Sequence, residues 1–129
     1  MIVLDASAAF ELLLRTSVGA GIAARLNASA LVHAPQLLDV EIASSLRRGT
    51  ALKEFSAARA RQALNDLRIF RIQRHPHLPY IERIWELRHN FTAYDACYLA
   101  LTEALDATLL TRDTALAQAH LRRGEIEVV

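Results

Sequence analysis

The segment TAYDACYLALTEAL (residues 92–105) is apolar for most of its length but carries a carboxylate, Asp95, close to its beginning. It contains no glycine or proline, and its spacing predicts a helix over 93–105. Thr92 and Asp95 also have the S/T-x-x-D/E spacing of a capping box, which is one explanation for the carboxylate. A helix this apolar is typical of a buried element, where a carboxylate needs a further reason.

The composition is that of one folded domain. The chain has 129 residues, 53% of them hydrophobic, with few glycines and prolines. We therefore expect a single helix-rich domain spanning 1–129. No stretch approaches the ~20 apolar residues of a membrane span, and MIVLDASAAF at the N-terminus has no basic leader, so neither a membrane segment nor a signal peptide is expected. Cys97 is the only cysteine, which excludes an internal disulfide and favours a reducing cytoplasm.

Short apolar runs alternate along the chain with segments of helical spacing. The predicted strands are 2–4, 31–33, 68–72, 108–110 and 126–129. The predicted helices are 6–14, 18–28, 36–48, 54–67, 79–88, 93–105 and 114–122, with a break at Gly49 and Thr50. Strands that alternate with helices predict a parallel sheet covered on both faces. We expect an α/β fold with three layers, α/β/α, in which a five-stranded parallel sheet is flanked by helices.

Three acidic residues lie where a strand ends or a helix begins. Asp5 follows the first predicted strand, Asp113 follows the fourth, and Asp95 opens the helix at 93–105. In open α/β sheets, active sites collect at the carboxyl ends of the strands. Aspartate is also a common helix N-cap, and each of the three residues has that explanation when taken alone. The two explanations are compatible, because a capping carboxylate can also bind a metal ion.

Glu41 is not explained by capping, because it lies in the middle of the predicted helix 36–48. On the helix projection it falls between Leu37 and Leu38, near the buried stripe. A buried carboxylate requires a cation, a proton or a hydrogen-bonding partner. Arg48 projects nearby but lies two turns along the helix, too far for a close ion pair.

We expect four carboxylates, called here the acidic quartet, to meet in one pocket: Asp5, Glu41, Asp95 and Asp113. Carboxylates packed together repel each other, and a metal ion relieves that repulsion. Because the sequence has no Cys or His at ligand spacing, the oxygen donors suit Mg²⁺ or Mn²⁺ better than zinc. Magnesium held by carboxylates commonly activates water and neutralises charge in phosphate chemistry.

Four sequence motifs, in this order along the chain, carry a resemblance to a known family. They are IVLDASAA (2–9), VEIASSLRR (40–48), TAYDACYLALTEAL (92–105) and LTRDTAL (110–116). Together they resemble a PIN-domain ribonuclease, specifically the VapC toxin of bacterial type II toxin–antitoxin systems, in which T-x-Y-D-x-x-Y-L-A-L is a common motif. The resemblance covers the whole chain and implies a PIN-like α/β/α fold, as a single PIN domain over 1–129.

The resemblance also implies a catalytic site and partners. It implies that the acidic quartet binds one or two Mg²⁺ or Mn²⁺ ions and directs an activated water at an RNA phosphodiester. Ser7 and Thr111 match positions that hydrogen-bond the metal ligands or a water. Members of the family usually form homodimers, and a cognate VapB-type antitoxin blocks the site. Two departures are the HNF segment before Thr92 and Arg112 beside Asp113, whose charge would tune metal affinity or contact RNA.

The basic residues are unevenly distributed. From Arg47 to His77 the sequence has eight arginine or lysine residues against two acidic ones. Four of these arginines, on the predicted helical pair 36–67, are candidates to contact RNA phosphates or the antitoxin: Arg47, Arg48, Arg59 and Arg61. The alternative is a solvated helical face, which is a common reason for a run of charge.

Two other functions fit part of the pattern. A receiver-type signalling domain is also α/β with clustered aspartates, but it would be expected to have paired acids after the first strand and a late lysine. The chain has Asp5 alone there, and Lys53 is its only lysine. A catalytically silent binding module would use the acidic quartet for capping and stability alone, and Glu41 argues against it.

Histidine and aromatic residues are assigned no catalytic role. The HPH segment (75–77) is predicted to be a loop rather than a metal site. The aromatic residues at helical spacing, Trp85, Tyr94 and Tyr98, are predicted to pack in the core or an interface. Cys97, with apolar neighbours, is predicted to be a small buried hydrophobic residue.

Overall fold

The sheet in the computed structural model is fully parallel. The structure describes residues 1–26 and 30–129. In these residues five strands occur: β1 (Ile2–Leu4), β2 (Val32–Pro35), β3 (Ile72–His75), β4 (Thr108–Thr111) and β5 (Glu125–Val128). Their order is β3-β2-β1-β4-β5, and every pairing is parallel. The predicted five-stranded parallel sheet is therefore confirmed, with β1 at its centre.

Helices cover the sheet in two groups. The described part of the chain has six α-helices: α1 (Ala6–Leu13), α2 (Ser17–Arg25), α3 (Leu37–Ala51), α4 (Ala57–Ile69), α5 (Ile81–Glu86) and α6 (Ala93–Leu105). Helix α1 contacts α2, α3 and α4, whereas α5 packs on α6, and α6 lies against β1, β2 and β4. This arrangement confirms the α/β/α prediction. The last two residues of the helix predicted at 18–28 lie outside the described residues. None of the described helices is long and apolar enough to cross a membrane.

Helix α6 has the bounds predicted for it and is largely buried. Its buried residues include Tyr98, Leu99 and Leu101. It also buries Glu103, whose carboxylate accepts two hydrogen bonds from the Arg83 guanidinium of α5 at 2.8 and 2.9 Å. The paired charge allows this acidic residue to lie between α6 and α5, because a buried carboxylate needs a donor.

The third strand begins later than predicted. The strand predicted at 68–72 is wrong except for Ile72, because α4 continues to Ile69 and keeps burying residues at helical spacing, including Ala63 and Leu67. Strand β3 then pairs with β2 from Ile72 to His75. The helical face of α4 therefore overrides the apolar run that suggested a strand.

Helix α3 continues through the break predicted at Gly49 and Thr50. A Cβ atom on Gly49 would lie 2.3 Å from Cζ of Phe55, so this glycine allows a close aromatic contact and does not end the helix. The Thr50 hydroxyl donates to the carbonyl oxygen of Leu46 at 2.8 Å, within the helix. The prediction of a break is therefore wrong, and α3 extends to Ala51.

The helix predicted at 114–122 is also wrong. The segment forms only a 3₁₀ turn at Leu116–Gln118, and Ala119 after it is extended. The backbone N–H of Arg122 donates to Oε1 of Glu103 at 2.9 Å. This contact with α6 holds the chain without the i→i−4 hydrogen bonds of a helix.

The aromatic residues separate into buried and exposed ones. Tyr98 is 1% exposed, as predicted for a core residue, but Trp85 and Tyr94 are each 63% exposed, so core packing is wrong for these two. The Arg88 guanidinium lies 4.4 Å from the centre of the Trp85 ring. Cys97 is partly buried, and burial, with the charge of Glu41, raises the pKa of its thiol.

The HPH segment is only partly a loop. His75 is the last residue of β3, and its Nε2 lies 2.9 Å from Nδ1 of His33 in β2. Burial lowers the pKa of both imidazoles. The two neutral rings therefore join neighbouring strands by one hydrogen bond.

Two contacts from β3 and the residues after it fix the beginning of α3. Nε2 of His77 accepts the backbone N–H of Leu37 at 3.1 Å, which satisfies a donor that the helix itself leaves free. Arg74 of β3 forms an ion pair with Asp39 in the first turn of α3 at 2.8 Å. These contacts matter for the site because α3 carries Glu41.

We expect His77→Ala to lower the free energy of unfolding by about 1 kcal/mol, because it removes a helix cap. Urea denaturation of the purified protein measures this change. His120→Ala, at an exposed residue, is the matched control and should leave the free energy of unfolding unchanged. Equal stability of the two variants would contradict the capping role.

Candidate active site

The fold brings the whole acidic quartet to one open pocket of about 550 Å³. Asp5 directly follows β1, and Asp113 lies two residues after β4. Because β1 and β4 are adjacent and parallel, their carboxyl ends lie side by side. Glu41 enters the pocket from α3 and Asp95 from the first turn of α6. The expectation that these four side chains meet therefore agrees with the geometry.

Asp5 is held by two hydroxyl groups. It is 7% exposed, and its Oδ2 accepts hydrogen bonds from Ser7 Oγ at 2.5 Å and from Thr111 Oγ1 at 2.7 Å. Asp5 occupies the N-cap position of α1, but its side chain makes no capping hydrogen bond. The capping explanation is therefore wrong for this side chain. Ser7 and Thr111 lie where the resemblance places them, against a carboxylate of the quartet.

Asp113 does not cap a helix, so that explanation is wrong for it, but its carboxylate stabilises a turn at the pocket. Its Oδ1 accepts the backbone N–H of Ala115 at 2.8 Å, which stabilises the turn before the 3₁₀ segment. Its own backbone N–H donates to Thr111 Oγ1 at 3.0 Å, so Thr111 contacts both Asp5 and Asp113. Ser7 Oγ similarly accepts the backbone N–H of Arg112 at 2.9 Å. The two hydroxyls thereby join the end of β1 to the end of β4.

Asp95 lies in the first turn of α6, three residues after the N-cap Thr92, and lines the pocket. The Thr92 hydroxyl accepts the backbone N–H of Asp95 at 3.2 Å, so Thr92 caps α6 as predicted. Burial, followed by the negative charges of Asp113 and Asp5, raises the pKa of the Asp95 carboxyl, while a hydrogen bond with Thr92 lowers it. The net effect is upward, because the pocket disfavours another negative charge.

Glu41 has a hydrogen-bond donor that the sequence analysis does not identify. Tyr98 of α6 donates its hydroxyl to Glu41 Oε2 at 3.2 Å. Burial raises the pKa of the Glu41 carboxyl, the Tyr98 hydrogen bond lowers it, and the charges of Asp5 and Asp95 raise it further. The signal for Tyr98 in the sequence is its position three residues after Asp95, which places both on one side of a helix.

The Tyr98 phenol remains protonated in this pocket. Burial, followed by the charges of Glu41 and Asp5, raises the pKa of the phenol far above its usual range. A hydrogen bond from the backbone N–H of Ala6 lowers that pKa, without reversing the shift. The hydroxyl is thus a permanent donor to the Glu41 carboxylate.

The candidate RNA-contacting arginines occupy different places. Arg48 and Arg112 line the pocket. Arg112 is turned toward Glu11, 3.9 Å from Nε to Oε1, and also donates to the carbonyl oxygen of Val129. Arg59 is engaged between helices, since its guanidinium donates to the carbonyl oxygen of Leu13 at 2.8 Å.

The two other candidate arginines lie outside the residues that line the pocket. Arg47 is exposed on α3, and Arg61 is exposed on α4 beside Asp39, Arg68 and Arg74. Of the five candidate arginines, only Arg48 and Arg112 are therefore at the pocket.

No cationic side chain of the described residues forms an ion pair with the acidic quartet. Across residues 1–26 and 30–129, no salt bridge involves any of the four carboxylates. The donor set consists of carboxylate and hydroxyl oxygens, which suit a hard divalent cation. No three His, Cys, Asp or Glu side chains of the described residues already form a cluster that could hold an ion. The donor chemistry fits such a cation, and one or more of the four carboxylates would have to move to close around it.

Comparison with known proteins agrees with the fold. The PIN domain family model matches residues 2–120. Ribonuclease VapC9 of Mycobacterium tuberculosis is 44% identical over 129 residues, covering 100% of this chain and 98% of the relative. Ribonuclease VapC1 of the same species is 42% identical over 98% of this chain and 96% of the relative, and Ribonuclease VapC12 is 40% identical over 100% and 99%. The chain therefore belongs to the PIN domain family, as a member of the VapC ribonuclease type.

Proposed function

We propose that this protein is a metal-dependent endoribonuclease and the toxin of a type II toxin–antitoxin pair. It hydrolyses RNA phosphodiesters in the pocket of the acidic quartet, and residues 1–129 act as a single PIN domain in the cytoplasm. The support is the similarity to proteins named as VapC ribonucleases over nearly their whole length. A receiver-type signalling role does not fit the PIN family match.

One observation carries the proposal: four carboxylates from four separate parts of the chain line one pocket, and no cationic side chain of the described residues is paired to them. Burial and mutual repulsion raise the pKa of two of them, Glu41 and Asp95. Proteins rarely keep such an arrangement for stability alone, because it costs free energy. A divalent cation supplies the missing positive charge.

The acidic quartet would hold Mg²⁺ or Mn²⁺. Such an ion, when bound, lowers the pKa of a water molecule and neutralises charge on the phosphoryl oxygens. Ser7 and Thr111 both donate to Oδ2 of Asp5, which fixes this carboxylate and leaves its other oxygen for a ligand. Arg48 at the pocket rim offers a guanidinium to an RNA phosphate.

A VapB-type antitoxin and a second copy of the chain are the proposed protein partners. Leu52 lines the pocket and is 67% exposed, which offers an apolar contact to a segment that covers the site. Leu78, Ile81 and Trp85 form another set of exposed apolar side chains, beside and on α5, and these suit a homodimer contact.

We expect Glu41→Gln and Asp95→Asn each to lower the rate of RNA cleavage by about 100-fold or more, since even residues that only orient a metal ligand contribute about 10- to 100-fold. Cleavage of a structured RNA pool by antitoxin-free protein is measured with Mg²⁺, with Mn²⁺ and with EDTA. Glu82→Gln, at an exposed acidic residue of α5, is the matched control and should cleave like wild type.

The pattern of cleavage separates the possible results. Activity that requires metal and is lost in the two pocket variants but not in Glu82→Gln supports the proposal. Equal cleavage by all variants, or cleavage in EDTA, would contradict it. A folded wild-type protein that neither cleaves RNA nor binds metal would favour the silent binding module.

We also expect the double variant Glu41→Gln/Asp95→Asn to be more stable than wild type in EDTA at about pH 7, because it removes two charges that the pocket disfavours. Both carboxyls have a raised pKa in the folded protein. Their protonated forms therefore stabilise the wild type below the unfolded pKa values of 4.5 and 3.8. This stabilisation is lost as pH rises through the folded pKa values. The stability difference should therefore shrink as pH falls to about 4.

Urea denaturation at several pH values measures that difference. Addition of Mg²⁺ should stabilise wild type more than the double variant, because only the intact quartet binds the ion with full affinity. A wild type more stable than the double variant in EDTA at neutral pH would contradict the unbalanced charge.

For RNA binding, we expect Arg48→Ala to reduce the slope of log K against log salt concentration by about 0.7, the value for one lost phosphate contact on a single strand. The measurement uses the cleavage-deficient Glu41→Gln background. Arg61→Ala, on α4 and outside the pocket, is the comparison and should leave the slope unchanged. If Arg61→Ala reduces the slope as much as Arg48→Ala does, the RNA contact also covers α4 and is not confined to the pocket.

A further inference from the structure

Tyr98 is a buried phenol whose hydroxyl points at the site. The side chain is 1% exposed on α6, and it lies one turn after Asp95. A buried tyrosine hydroxyl needs a hydrogen-bond partner, and an ionised carboxylate is among the strongest acceptors in a protein. The partner of Tyr98 is Glu41, at 3.2 Å from hydroxyl to Oε2.

The Tyr98 hydroxyl joins two of the elements that carry the acidic quartet, α6 and α3. Tyr98 belongs to α6 together with Asp95, and it donates to Glu41 of α3. Loss of the hydroxyl would therefore remove a contact between α3 and α6.

The hydrogen bond from Tyr98 to Glu41 resembles those made to Asp5, because in both cases hydroxyl groups donate to a single carboxylate oxygen. Ser7 and Thr111 donate to one oxygen of Asp5, Oδ2. Tyr98 likewise donates to one oxygen of Glu41, Oε2. Within the described residues, no other side chain donates to these two carboxylates, so each retains one oxygen for a ligand.

We propose that Tyr98 is a positioning residue whose hydroxyl holds the Glu41 carboxylate in the orientation that a divalent cation requires. The proposal rests on the proposed function, because it presupposes the cation. Tyr98 itself is buried and does not contact the RNA. A glutamate has three side-chain torsions, so a fixed donor removes freedom that the ion would otherwise have to restrict.

The test is Tyr98→Phe, which removes the hydroxyl oxygen and keeps the buried ring. Calorimetric titration with Mn²⁺, without RNA, should give a dissociation constant about tenfold higher than that of wild type. Tyr94→Phe is the matched control, because it removes the same atom from an exposed tyrosine one turn earlier in α6. Its affinity for Mn²⁺ should equal that of wild type.

A second measurement distinguishes positioning from general damage to the fold. The Mg²⁺ concentration for half-maximal RNA cleavage should rise about tenfold in Tyr98→Phe, while the rate at saturating Mg²⁺ approaches that of wild type. Thermal unfolding in EDTA checks that both proteins are fully folded at the assay temperature. A rate reduced equally at every Mg²⁺ concentration would overturn the positioning role.

Variants of Glu41 test whether Tyr98 acts through it. Glu41→Gln and Glu41→Gln/Tyr98→Phe should bind Mn²⁺ with equal affinity, since the residue to be positioned is already altered. Further weakening by Tyr98→Phe would overturn the proposal by placing its effect elsewhere. The effect of Tyr98→Phe is thus measured both in wild type and in the Glu41→Gln variant, so the conclusion does not depend on the single variant alone.

The outcomes also separate this inference from the proposed function. If wild type binds Mn²⁺ and Tyr98→Phe binds it equally well, the role of Tyr98 is overturned while metal-dependent cleavage stands. If wild type binds no divalent cation, the proposed function is overturned and the role of Tyr98 falls with it. Weaker binding by Tyr98→Phe alone supports both.

Discussion

Mutual repulsion among four carboxylates is the physical constraint on which the arrangement of the site depends. The ends of β1 and β4 bring Asp5 and Asp113 together, and α3 and α6 add Glu41 and Asp95 to the same pocket. Like charges in a partly buried site disfavour ionisation, which is why burial and neighbouring charge raise the pKa of two of these groups. The buried core of the domain stabilises the fold against this cost. Neutral hydroxyls orient Asp5 and Glu41, and in the proposed function the countercharge comes from a bound ion.

The fold was predictable where local pattern and tertiary contacts agree. Helix α6 has its predicted bounds, because its threonine cap and apolar run are local signals. The predictions fail where a distant contact decides the local structure. Gly49 does not end α3, and the Phe55 ring packs where a side chain at this position would lie. The helix expected at 114–122 is replaced because Glu103, in another element, accepts the N–H of Arg122.

The same distinction between local sequence patterns and contacts with distant residues applies to the site. The meeting of the quartet follows from parallel strand order, since neighbouring parallel strands end at one edge. Glu41 was identifiable because a carboxylate on a buried helical stripe needs a partner. The identity of that partner was not predictable, because Tyr98 lies 57 residues away in sequence. The role of Arg59 was likewise not predictable, because its guanidinium contacts Leu13 of another helix.

The central claim is that the acidic quartet holds a divalent cation, and anomalous X-ray diffraction from crystals grown with Mn²⁺ tests it most directly. We expect an anomalous peak inside the pocket, with carboxylate oxygens of Asp5 and other quartet members at about 2.1–2.2 Å, near the distances of small hard divalent cations. Movement of the Asp95 or Asp113 side chain toward that peak would accompany binding. A pocket without an anomalous peak at saturating Mn²⁺, or one filled by an arginine side chain from the same chain, would contradict the claim.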